Sequence, residues 1–166
     1  MIFEVKITDL MRQRSQEKAE EMGSLNNSIL NGSGNYAGFL GEEIVNDYIN
    51  GVIENTYDYD IIKDGLKFDV KSKQTTVVPR THYDCSVADF NPNQKCDFYI
   101  FARILDDFSS GWILGFISKE RFYQEARFMR KGQMDGSNDF IVKSDCYNLA
   151  IKRLSPIAEI FNIIYE

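Results

Sequence analysis

Residues 57–74 read YDYDIIKDGLKFDVKSKQ, two runs rich in Ile, Val, Tyr and Phe on either side of Asp64-Gly65. An Asp-Gly pair between such runs favours the positive φ angles of a two-residue type I′ turn, so the stretch predicts a β-hairpin. Its register follows by counting. Lys63 opposite Leu66 sets Ile61 against Phe68, Asp60 against Asp69 and Asp58 against Lys71. Side chains alternate along a strand. Asp58, Asp60, Lys67, Asp69, Lys71 and Lys73 therefore share a charged face, and Tyr57, Tyr59, Ile61, Phe68 and Val70 share a core face.

Like charges directly opposite each other destabilise a sheet, so the Asp60/Asp69 pair needs something to offset it. A divalent cation does so. Mg²⁺ takes hard oxygen ligands, commonly one or two carboxylates completed by waters and a phosphate, and Mn²⁺ is the expected substitute. Lys71, two residues beyond Asp69 on the same face, adds an ammonium to that spot. It would orient or help deprotonate a water, or neutralise charge developing on a phosphate. The competing reading is a wet hairpin face on which Asp and Lys simply pair across strands, and short patterns of this kind admit both.

Upstream, Gly38-Phe39-Leu40-Gly41-Glu42 is followed by Ile44, Val45, Tyr48 and Ile49 at helical spacing. This G-x-x-G-E helix, the Tyr59-Asp60-Ile61-Ile62 strand and the Asp69-Val70-Lys71 tripeptide, in that order, make the chain resemble the PD-(D/E)XK nuclease superfamily, the restriction-endonuclease-like fold. The resemblance spans roughly residues 36–75, and its specificity lies in three short motifs in series. Little room separates the helix from Tyr57, so the family's first meander strand is expected to be short or merged with the next. Asp58 and Asp64 remain rivals to Asp60 for the first carboxylate.

The resemblance implies a metal-dependent DNA phosphodiesterase. Asp60, Asp69, Lys71 and Glu42 would be its catalytic residues. Asp60, Asp69, Glu42 and the backbone carbonyl of Val70 would hold Mg²⁺, and Lys73, Gln74 and Arg80 would contact substrate. Within the first helical turn, Glu42 borders the apolar stripe while Glu43 points away from it, which favours Glu42; the helix dipole alone also accounts for a Glu there. DNA is the implied partner, and a homodimer stays open. The alternative function is a catalytically inactive nuclease-fold module that binds or assembles.

The 166 residues, 43% hydrophobic and 13% aromatic, suit one α/β domain with a central mixed sheet flanked by helices. Residues 1–35 form a polar helix and an Asn/Gly/Ser-rich loop, and residues 36–166 the core. No apolar run or basic leader suggests a membrane partner or secretory signal, so a cytoplasmic location is expected. Cys85, Cys96 and Cys146 lack the spacing of a disulfide framework or zinc site and read as buried thiols. A single histidine, His82, excludes HNH chemistry, histidine-rich zinc sites and a two-histidine relay. The formal net charge of −6 opposes phosphate binding in general, so DNA contact must come from local clusters. Arg12, Arg14 and Lys18 form one, Lys71, Lys73 and Arg80 a second, and Arg127, Arg130 and Lys131 a third.

Elsewhere the pattern predicts a strand over 2–7 and a polar surface helix over 10–22 capped by Thr8-Asp9. A long loop over 23–36 is a candidate substrate-covering flap. The α-helix spans 37–50, and Gln74–Val78 extends the second hairpin strand to Pro79. Residues 80–96 read as irregular or weakly helical, where the superfamily usually has a helix. Strands follow over 96–105 and 112–117, then a helix over 119–129. A final hairpin of 140–143 with 147–152 and a C-terminal packing helix opened by Ser155-Pro156 complete the chain.

Overall fold

The Asp64-Gly65 turn forms as its chemistry dictates. Both residues have positive φ, 49° and 80°, and Lys63 pairs with Leu66, Ile62 with Lys67 and Ile61 with Phe68. The computed structural model describes residues 1–23, 33–90, 92–135 and 140–166, so the expected flap lies largely outside the described residues.

The chain begins with β1 (Phe3–Lys6) and α1 (Asp9–Gly23), the latter capped by the Thr8 hydroxyl, which accepts from the Met11 N–H at 3.2 Å. Helix α2 (Ser33–Ile49) leads into a two-residue β2 (Val52–Ile53), then β3 (Ile61–Lys63) and β4 (Leu66–Thr75). There follow β5 (Asp84–Ala88), β6 (Phe98–Leu105), β7 (Ser110–Ser118), α3 (Lys119–Glu125), β8 (Arg127–Met129), β9 (Met134–Asp135), β10 (Phe140–Ile141) and β11 (Cys146–Ala150). Short 3₁₀ turns and α4 (Ile160–Ile164) close it.

The main sheet is mixed, in the order β1-β7-β6-β4-β3-β2. Only β4 and β6 run parallel within it, and a parallel pair requires a crossover between its strands. Here that crossover passes out to β5 in the second sheet, β5-β11-β8. β6 is buried on both faces, as its apolar run predicts. Ile100, Ala102 and Ile104 join the core under α2 and α4, while Tyr99 and Phe101 join a second core with Cys85, Val87, Leu149 and Phe122. The protein is thus a single mixed α/β domain with α1, α2 and α4 on one face of its main sheet and the small sheet with α3 on the other.

Several expectations give way to tertiary pairing. β3 starts at Ile61, so Tyr57 and Tyr59 leave the expected core face; Tyr57 is 67% exposed and Tyr59 packs on the second core. Residues 80–96 contain strand β5 in place of a weak helix, because Cys85 and Val87 find β11 and the second core. The helix after Ser118 stops at Glu125, and residues 127–129 become a strand paired with β11. β10 pairs with β9 and β11 with β5 and β8, so the final hairpin does not form. The C-terminal helix is reduced to five residues after a 3₁₀ turn.

What positions α2 is Gly41. A Cβ there would lie 1.7 Å from Ser72 Oγ on β4, whereas a Cβ on Gly38 would meet nothing within 4 Å. The G-x-x-G spacing therefore has one glycine for close approach and one exposed to change. Gly41→Ala is expected to cost about 1–3 kcal/mol by overpacking. Gly38→Ala, which raises helix propensity, should be neutral or stabilising by up to about 1 kcal/mol. Chemical denaturation of the two variants side by side checks the contrast.

Candidate active site

β3 ends where its last pairing partner is a side chain. The Asp60 N–H donates to the Phe68 carbonyl at 2.9 Å, and Asp60 Oδ2 accepts from the Val70 N–H at 2.8 Å. The carboxylate thus replaces the next backbone acceptor, and the chain before Asp60 turns away. In a strand the N–H and C=O of one residue point to the same side, so the Val70 carbonyl also faces this edge. Of the three candidates for the first carboxylate, Asp60 is the one beside Asp69. Asp58 Oδ1 instead accepts from the Lys95 N–H at 3.0 Å, and Asp64 occupies the exposed turn.

Asp69 is 3% exposed. Lys71 Nζ stands 2.6 Å from its Oδ2 as an ion pair. Gln94 ties the group together: its Nε2 donates to Asp69 Oδ1 at 3.2 Å and to the Tyr57 carbonyl at 2.8 Å, and its Oε1 accepts from Lys71 Nζ at 3.1 Å. Lys119 Nζ donates to the Gln94 carbonyl. The Tyr99 ring lies 5.8 Å from the Lys71 ammonium, a spacing that favours a cation over the ring face.

Glu42 reaches the site from α2 and is 6% exposed. Asn55 Nδ2 donates to its Oε2, and Lys18 Nζ of α1 donates to Asn55 Oδ1 at 3.1 Å. Glu43 turns instead to Arg14 of α1, 3.7 Å away. An open cleft of about 270 Å³ lies against Glu42, Asp60, Asn55, Phe39 and Met22.

The three acids are starved of water and repel one another. Loss of water is the first cause that pushes the Glu42 carboxyl up to about 7, with Asp69 and Glu43 adding to it against Asn55 and Lys18. Asp60 is pushed up to about 8, by burial first and then by the charges of Asp69 and Glu42. Asp69 is also raised by burial, against the pull of Lys71 and hydrogen bonds from Asp60 and Gln94. Crowded, desolvated carboxyls beside a backbone carbonyl make an all-oxygen donor set that fits a hard divalent cation. Among the described residues no three His, Cys, Asp or Glu side chains close into a complete ligand set. A cation here would rest on part of the trio with waters, the mode Mg²⁺ favours.

The expected substrate residues do not gather at the acids. Lys73 lies further along β4 on the face of Lys71, beside Arg103, and Gln74 alternates to the opposite face. Arg80 is exposed on the loop beyond β4. Of the basic clusters, Arg12 binds Asp9 and the Ile7 and Phe108 carbonyls, and Arg127 binds Asp84. Sequence reasoning missed Gln94 and Lys119, which act from a loop and a helix start remote in sequence, and Asn55 in the short loop before Asp60; Lys18 enters it only as one of a cluster. No protein-family model and no curated protein matches the chain.

An acid whose pKa folding raises contributes stability that is lost as pH climbs from the ordinary carboxylate range towards its folded pKa. With chelator present, Asp60→Asn keeps the acceptor for the Val70 N–H and removes that loss. It should melt higher than the parent at pH 8 by roughly 2–4 °C for each ~1 kcal/mol gained, with the difference vanishing near pH 4. Thermal unfolding at the two pH values in EDTA measures this; equal melting of parent and variant at pH 8 would contradict it.

Proposed function

We propose that the protein is a metal-dependent phosphodiesterase acting on DNA, with a fold of the restriction-endonuclease-like kind. The observation that carries this reading is the β3–β4 junction, where Asp60 is held by the Val70 N–H at 2.8 Å and Lys71 stands 2.6 Å from the neighbouring Asp69. The order α2, β2, β3, β4 supports it too, since a helix followed by a meander is the core of the superfamily that the motifs resemble.

Asp60, Asp69 and Glu42, with the Val70 carbonyl, would hold Mg²⁺ or Mn²⁺. Bound there, such a cation polarises a phosphate oxygen and acidifies a water. Lys71 is the cationic side chain of this chain at the reacting position. Its ammonium opposes charge building on the phosphate and can hold the attacking water in line. Gln94 fixes that ammonium and Asp69 together, so it is a positioning residue. Asn55, anchored by Lys18, does the same for Glu42.

The parent protein should cleave DNA with Mg²⁺ or Mn²⁺ and not with EDTA. Lys71→Ala is expected to lose about 10²–10³-fold in kcat, and Asp69→Ala to abolish cleavage. A panel of linear, circular and single-stranded DNA checks this. A parent that binds DNA but cleaves none of the panel would favour the inactive binding module, and a Lys71→Ala variant cleaving at the parent rate would remove Lys71 from the chemistry.

Gln94→Ala should lower kcat about 10–100-fold, the usual effect of removing a second layer of support, while KM for DNA changes little. Rescue by Gln94→Glu is not expected, because a carboxylate cannot donate to Asp69. Steady-state kinetics on the cleaved substrate separates the two constants.

A further inference from the structure

Lys71 is not the last cation on its face of β4. Lys73 follows two residues on, about 7 Å along the strand, and in the parallel register it lies beside Arg103 of β6. A recess of about 150 Å³ lined by Lys71, Lys73, Ser86 and Arg103 leads away from the D-x-K lysine. It shares Lys73, Ser86 and Arg103 with a cleft of about 600 Å³ between β4 and the small sheet, where Lys143 joins them.

Charge in this cleft is lopsided. Arg103 is 9% exposed, and its guanidinium donates to the backbone carbonyl of Asp84 at 2.6 Å. The Asp84 carboxylate is turned to Arg127 at 2.8 Å. Asp135 also lines the cleft, so two acids, Asp84 and Asp135, stand among the three cations Lys73, Arg103 and Lys143. A buried guanidinium whose acceptor is a carbonyl remains costly to desolvate. Loss of water is the first cause that draws the Lys73 pKa down, and Arg103 and Lys143 add to it against Cys146 and Asp84, the direction expected where cations are drawn together and desolvated.

The geometry also selects among anions. At about 600 Å³ the cleft has the size of a site that encloses one small ligand. One strand enters such a space and a double helix does not. We propose that this cleft receives the sugar-phosphate backbone of a single nucleic-acid strand running from the carboxylate site along β4, with Lys73, Arg103 and Lys143 on its phosphodiesters. The path of the strand rests on the nuclease reading; the charge of the cleft does not.

The test is binding of a labelled oligothymidylate to the whole chain in EDTA, where no cleavage competes, across a salt series. The Lys73→Gln/Lys143→Gln double variant should bind at least tenfold more weakly. Its log K against log salt slope should be shallower by about 1.4, two contacts at about 0.7 each for a single strand. Arg103→Gln should weaken binding further, and because both lysines of the double variant reach solvent, that variant decides the matter if Arg103→Gln fails to fold. Unchanged affinity and slope in the double variant would overturn the proposal even if the parent cleaves DNA. Loss of binding in the double variant with no Mg²⁺-dependent cleavage by the parent would uphold the cleft and sink the nuclease reading. Thymidine monophosphate competing as well as the oligonucleotide, mole for mole, would make the cleft a nucleotide pocket and overturn the strand path; a duplex of the same length binding as tightly would overturn the selection for one strand.

Discussion

The backbone N–H of Val70 decides where the acids of this protein stand. It lies in the middle of β4, where an antiparallel neighbour would ordinarily supply a carbonyl, and it takes the Asp60 carboxylate instead at 2.8 Å. A buried strand N–H left without an acceptor costs about 1–3 kcal/mol, so this bond both ends β3 and fixes Asp60 next to Asp69. Everything upstream follows from the vacated edge. The chain from Tyr57 to Tyr59 loops out and leaves its Tyr57 carbonyl for Gln94, and α2 can lay Glu42 into the opening because Gly41 carries no side chain against Ser72.

That arrangement concentrates negative charge where water is scarce, and the surrounding residues answer it incompletely. Lys71 neutralises Asp69, and Lys18 acts on Glu42 from a distance and through Asn55. Asp60 has a backbone donor and the more distant influence of Lys71, but burial first, and then the charges of Asp69 and Glu42, outweigh them. A structural ion-pair network would be expected to balance its charges, since a buried unpaired charge is among the most destabilising features a fold can hold. Strain of this kind, kept at one edge of an otherwise well-packed core, is what functional sites characteristically carry.

The site was legible in sequence to the extent that local chemistry controls it. The Asp-Gly turn set the register from Ile61 to Phe68, and alternation then put Asp69 and Lys71 on one face and Phe68 and Val70 on the other. Counting stopped working at Asp60, because alternation assumes a continuing strand and cannot foresee a side chain replacing a backbone acceptor. Helical phase separated Glu42 from Glu43 for the same local reason that it places one of them toward Arg14. Gln94 was illegible: it sits in an irregular stretch after Asn91-Pro92, and its role arises only when the crossover between β4 and β6 brings that stretch beside Tyr57. The strands β5, β8 and β11 were hard to read for a related reason, being short segments whose pairing partners are far away in the chain.

The acidic balance of the chain takes on a different meaning once its charges are located. A net charge of −6 describes the far field, which falls off over about 8 Å at physiological ionic strength. Along β4 the pattern is graded: Glu42, Asp60 and Asp69 at one end, and Lys73, Arg103 and Lys143 with Asp84 and Asp135 at the other, Lys71 lying between them. Low-dielectric walls sharpen such contrasts. A cation drawn to the acidic end and an anion drawn to the basic end would each lower the cost of the other, so a polyanion laid along β4 would meet its weakest repulsion when the acids are already neutralised. On the proposed reading, binding of metal and of strand would therefore be coupled positively through electrostatics alone, without any movement of the fold.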